Sequence, residues 1–158
     1  SAGWTARSTL RKPKSMLILG YGGGTVAGLT RKVWGDDIEI VGIDSAEWSI
    51  PIDAGDRVIK MDAQEYVHGC KKIFDYIVID LYDGNRMPDF VLTPDFAAQI
   101  RRIAGLRVCV NFFSGLSQAQ TVYDSMFKRE LDKALLKNTV TFYRVKDLSA
   151  AMRQDVKH

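Results

Sequence analysis

Strands alternating with helices along most of a 158-residue chain predict an α/β fold, a doubly wound parallel sheet with helices on both faces. Three observations carry that expectation. Residues 16–19 form an apolar run too short for a helix, and Gly20, Gly22, Gly23 and Gly24 lead from it into a helical stretch starting near Thr25. Residues 74–81, FDYIVIDL, read as a second fully buried strand. Asp44, Asp62 and Asp80 each fall at or just past a strand end, where ligands lie in open α/β sheets.

Taken in order, the chain opens with an arm, residues 1–14, that carries Arg7, Arg11, Lys12 and Lys14 and no acid. The arm reads as a solvated segment, with a nucleic-acid contact as the competing reading. Trp4 suits a free end poorly, and an opening Ser in place of Met suggests trimming. Residues 15–146 then form the main domain, and 147–158 a charged tail.

After the glycine turn, Val26, Leu29, Val33 and Trp34 recur at helical spacing up to Gly35, a C-terminal cap. Residues 38–43 are a second strand ending at Asp44, about 20 residues beyond the glycines, where strand-end carboxylates meet ribose hydroxyls. Asp44 as a mere cap for the next turn is the blander alternative. A short strand over 58–61 precedes Asp62 and Ala63, and a helix over 63–70 follows. Beyond Asp80, Tyr82 and Asp83, a loop leads to Thr93, Pro94 and Asp95, a helix start with proline in its first turn. Phe96, Ile100 and Ile103 give that helix an apolar stripe. Residues 106–112 are a fifth strand, with Asn111 near its end. Residues 118–137 are expected as one long helix with Val122, Met126, Leu131 and Leu135 inward, and 139–145 as a strand at one edge of the sheet. The expected strand order is 3-2-1-4-5.

Composition bounds the function. The chain is 46% apolar, ordinary for one globular domain. No run approaches the roughly 18 apolar residues of a membrane span, and no signal peptide opens the chain. Cys70 and Cys109 lack CxxC or histidine partners, so they read as reduced thiols of a cytoplasmic protein, with no metal site. A net charge of +3, spread along the chain, does not call for nucleic acid. A homodimer stays open.

The glycines discriminate between ligands. A dinucleotide fingerprint wants Gly or Ala at position 25, where Thr25 stands. The spacing Gly20-Tyr21-Gly22-Gly23-Gly24 suits adenosyl-sulfonium binders better. Residues 15 to 113 then resemble the catalytic domain of spermidine synthases, the polyamine aminopropyltransferases, within the Rossmann-like class I methyltransferase fold. The matching stretches are MLILGYGGGT, VGID ending at Asp44, MDA at 61–63, and FDYIVIDLYDG followed by LTPDFAAQI.

That resemblance implies S-adenosylmethionine or its decarboxylated form as ligand, held by Gly20, Tyr21, Gly22, Gly24, Ser45 and Asp80, with Asp44 at the ribose hydroxyls and Asp62 and Ala63 at the adenine edge. It implies Asp80 as the base and Asp83 as a seat for a cationic amine, so that the acceptor is a small molecule such as a polyamine. Asp83 as a turn residue before Gly84 is the alternative reading. The departures point another way. Gly23 stands where the family carries an acid that contacts the transferred chain, Asn111 stands where it carries Gln, and no small N-terminal strand domain fits before residue 15. Methyl transfer to a small acceptor is therefore weighed beside aminopropyl transfer. A non-catalytic adenosyl-binding module and a nucleic-acid methyltransferase using the arm are the further alternatives, and no NPPY-like tetrad follows the fourth strand to support base methylation.

Overall fold

The computed structural model describes residues 11–22, 24–46, 56–82, 86–113, 117–134 and 138–146. Its seven-stranded sheet runs β3-β2-β1-β4-β5-β7-β6. The strands are β1 (Ser15–Leu19), β2 (Glu39–Asp44), β3 (Asp56–Lys60), β4 (Phe74–Ile79), β5 (Ala104–Phe113), β6 (Phe127–Ala134) and β7 (Asn138–Val145). The first five are parallel in the expected order, and β7 and β6 close the sheet antiparallel.

Alternation along the parallel strands sorts the core onto two faces, because successive strand residues point to opposite sides. Leu17 and Leu19 of β1 join Val41, Ile43, Ile77 and Ile79 on one side, with Met16, Ile18, Ile40 and Val78 on the other. Helices α2 (Ala63–Gly69), α3 (Pro94–Ile103) and α4 (Ser117–Asp124) supply Val67, Phe96, Ile100 and Tyr123 to the first side. Helix α1 (Thr25–Trp34) covers the second with Ala27, Val26 and Leu29. Both faces are sealed, as continuous apolar strands require.

Register gathers the site. Leu19 pairs with Ile43 on one side and Ile79 on the other, so the next residues, Gly20, Asp44 and Asp80, emerge side by side. Backbone bonds fix the exit: Gly20 N–H donates to the Ile43 carbonyl at 2.8 Å, and Asp80 N–H to the Leu19 carbonyl at 2.9 Å.

Two expectations fail at the C-terminal end. The long helix over 118–137 is instead α4 followed by strand β6, and β7 lies inside the sheet, with β6 at the edge. Ala119, Tyr123 and Phe127 are the fully buried residues here; of the expected stripe Val122 and Met126 pack partly buried against the core, Leu131 is 40% exposed, and Leu135 lies outside the described residues. The cause is tertiary. Strand β7 buries Val140, Thr141, Phe142 and Tyr143, leaving an unpaired backbone edge that residues 127–134 occupy despite a charged, helix-compatible sequence. Side-chain pairs hold it there: Arg107 Nε to Glu130 at 3.2 Å, and Arg129 to both Asp124 and Asp132. The resulting charged edge resists further strand pairing. A third expectation fails on α1, where Val33 is 37% exposed while Thr30 and Arg31 are buried.

Candidate functional site

A cavity of about 650 Å³ opens at the carboxyl ends of β1, β2 and β4. That volume is within the usual range for small-molecule and cofactor sites. Its wall includes Gly20, Tyr21, Gly22, Asp44, Ser45, Asp62, Ala63 and Asp80, eight of the expected site residues. Gly24 does not line it but caps α1 at φ 80°, and Asp83 lies outside the described residues.

The glycine turn is shaped by contacts that exclude side chains. Gly20 sits at φ +88°, and a Cβ there would lie 2.1 Å from the Asp80 carbonyl oxygen. Only glycine serves both conditions. Past the turn, the N-cap Gly24 makes no side-chain capping bond and the first turn of α1 holds no acid. Among the described residues no side-chain acceptor caps the first N–H groups of that helix, and Thr25 and Val26 bring this end to the cavity wall.

Asp44 is held by the backbone on both oxygens. Oδ2 accepts from Gly22 N–H at 2.7 Å and Oδ1 from Ala46 N–H at 3.0 Å. Each carboxylate oxygen keeps a further acceptor site, so an oriented carboxylate faces the cavity with capacity for two hydroxyls. Asp62 instead caps α2, its Oδ1 accepting from Glu65 N–H at 3.1 Å. Ala63, Ile43, Met61 and Val26 add apolar surface to the same wall.

On the far side, Asp80 is placed by β4 and held by Asn111 of β5, whose Nδ2 donates to Asp80 Oδ1 at 3.1 Å. Burial raises the Asp80 pKa above the ordinary carboxylate value, and the Asn111 amide partly offsets this. Asn111 Oδ1 is buried with no hydrogen-bond partner among the described residues. Tyr82, Pro88 and Phe90 wall this end. The Tyr82 hydroxyl accepts from Asn138 Nδ2 at 3.2 Å, and Phe90 meets Phe96 edge to face at 5.0 Å. The short 3₁₀ turn Asp89–Leu92 that carries Phe90 has no periodic signal in the sequence. Among the described residues no Lys or Arg lines the cavity, whereas three carboxylates do. Among the described residues no group of His, Cys, Asp or Glu is placed to hold a metal ion, and no helix is long and apolar enough to cross a membrane.

No protein-family model matches the sequence, and no curated protein sequence does. Solved structures do match. Ribosomal protein L11 methylase from Lactobacillus delbrueckii subsp. bulgaricus is 14% identical at a TM-score of 0.69, with 92% of this chain and 76% of that one covered. The 1,6-didemethyltoxoflavin-N1-methyltransferase of Burkholderia thailandensis, solved with 1,6-didemethyltoxoflavin and S-adenosylhomocysteine, is 14% identical at a TM-score of 0.63, covering 92% and 81%. A probable spermidine synthase from Corynebacterium glutamicum is 19% identical at 0.65, covering 82% of this chain and 55% of that one. The chain has the fold of the class I S-adenosylmethionine-dependent methyltransferases, a Rossmann-like parallel sheet closed by an antiparallel strand pair.

Proposed function

We propose that the protein is an S-adenosylmethionine-dependent methyltransferase acting on a small, amine-bearing acceptor. The observation that carries this reading is the pairing of an oriented Asp44 carboxylate with an uncapped α1 N-terminus across one cavity. The donor's ribose hydroxyls would meet Asp44, and its carboxylate would meet the α1 N–H groups, where helix ends favour anions. Ala63 and Asp62 would border the adenine. The solved neighbour with S-adenosylhomocysteine bound supports the ligand class.

The same uncapped end argues for the carboxylate-bearing donor over the decarboxylated one used in aminopropyl transfer. Gly23 adds no acid to the turn to attract a transferred aminopropyl chain. The bound donor supplies a sulfonium methyl; as it passes to the acceptor nitrogen, the electron pair of the S–C bond returns to sulfur. What this chain contributes is placement and charge. Asp44 and the glycine turn fix the donor, and the wall's carboxylates favour the cationic sulfonium. Asp80 attracts the acceptor's amine and accepts the proton it sheds.

Asp44→Ala tests the assignment. Loss of charged hydrogen bonds of roughly 1.5–3 kcal/mol should weaken S-adenosylhomocysteine binding about ten- to a hundredfold. Equilibrium titration of parent and variant would measure it, and equal affinities would remove Asp44 from the site.

A further inference from the structure

The turn that receives the donor is braced from behind by charge. Tyr21 O–H donates to Asp56 Oδ2 at 2.9 Å. Asp56, the first residue of β3, has a fully buried side chain, and Arg31 on α1 is nearly as buried. Arg31 Nε donates to Asp56 Oδ1 at 2.7 Å, and its Nη2 to the same oxygen. Arg31 Nη1 is spent on the Asp36 and Ile38 carbonyls at 3.0 and 3.3 Å. The Tyr21 ring lies flush on β2, where a Cβ at Gly42 would fall 2.4 Å from its Cδ2. Above the ring sits Gly24, whose N–H donates to the Tyr21 carbonyl at 2.9 Å and whose absent Cβ would be 3.0 Å from the tyrosine oxygen.

A buried ion pair is seldom a source of net stability, since desolvation cancels much of the attraction. This one has a geometric consequence. It fixes a carboxylate where the only tyrosine of the glycine turn can reach it, while both sides of the ring are occupied by glycines. A turn built of glycines has many backbone states; Asp44 holds it at Gly22 N–H, Tyr21 holds it from behind, and Asp56 with Arg31 decides where Tyr21 points.

We infer that Arg31 and Asp56 are positioning residues for the donor, acting through Tyr21 to hold the backbone at Gly20, Gly22 and Gly24 in its receptive conformation. This rests on the donor-binding reading above. Neither residue lines the cavity, so any effect on ligand affinity travels through the turn. The ring's contact with Gly42 predicts a second handle, because Gly42→Ala pushes the same ring from the opposite strand.

Tyr21→Phe keeps the ring and removes the hydroxyl that donates to Asp56. It should weaken S-adenosylhomocysteine binding about five- to twentyfold, roughly a 1–2 kcal/mol loss, with the ligand-free protein still folding cooperatively at a thermal midpoint lowered by a few degrees, as loss of one donor to a buried carboxylate gives. Amide hydrogen exchange in that ligand-free protein should quicken at Gly20, Gly22 and Gly24 and stay the same along β1 and β4. Gly42→Ala should show the same exchange pattern. If the parent binds S-adenosylhomocysteine and Tyr21→Phe binds it equally well, the inference is overturned. If the parent does not bind it, the donor-binding reading fails, and exchange alone decides: unchanged turn amides in Tyr21→Phe overturn the brace, and faster ones sustain it.

Discussion

Asp80→Asn should leave S-adenosylhomocysteine affinity close to that of the parent and lower methyl transfer on the order of 10²–10⁴-fold, the contribution of a positioned general base. The isostere keeps its place against Asn111, which can donate to an amide oxygen as it does to the carboxylate. What it loses is the negative charge and the proton acceptor. Because burial raises the Asp80 pKa, the parent's kcat/KM should fall on the acid side at a higher pH than an exposed aspartate would give. The sign for stability is opposite to that for turnover. A carboxyl whose folded pKa lies above its unfolded value binds more protons when folded, so stability declines as pH rises from the ordinary aspartate value through the raised one. Asp80→Asn should therefore be more stable than the parent at neutral pH, with the gap closing in acid. Urea unfolding at both pH values, with turnover on a panel of amines, measures the two effects together. A variant that turns over as fast as the parent removes Asp80 from the chemistry.

Gly20→Ala should be the most damaging single-methyl addition in the turn. Its Cβ would fall 2.1 Å from the Asp80 carbonyl oxygen and 2.8 Å from the carbonyl carbon, both backbone atoms. The ends of β1 and β4 would have to part, breaking the Asp80 N–H bond to Leu19 that aligns Asp80 with the glycine turn. Overpacking and a left-handed non-glycine residue together cost about 2–5 kcal/mol. Gly22→Ala is the control. It also has positive φ, +55°, but nothing lies within 4 Å of its Cβ position, so it should cost only about 1–2 kcal/mol. Comparable losses in chemical denaturation for the two variants would mean that the contact with Asp80 does not constrain the site.

The centre of the sheet and its acids were legible because β1, β2 and β4 are short apolar runs closed by a glycine or an aspartate, a pattern that burial on both faces imposes. Asp44 and Asp80 could be placed from that pattern alone. The antiparallel end could not. Residues 127–134 are charged, and their conformation follows from the edge that β7 presents, which no local pattern encodes. Phe90 came to the cavity on a 3₁₀ turn without periodic signal. Arg31 and Asp56 were missed for a similar reason: each reads as a solvated charge on its own element, and only the crossing of α1 over the start of β3 buries them together.

Titration calorimetry of the purified chain with S-adenosylmethionine, decarboxylated S-adenosylmethionine, methylthioadenosine and NAD tests the donor site most directly. Single-site binding is expected, with S-adenosylmethionine tightest. The decarboxylated form should be weaker by about five- to thirtyfold, the effect of removing a carboxylate from a favourably placed helix N-terminus. Methylthioadenosine should be weaker still, and NAD should give no heat. Absence of binding by any adenosyl ligand, or a preference for the decarboxylated form, would contradict a methyl-donor site.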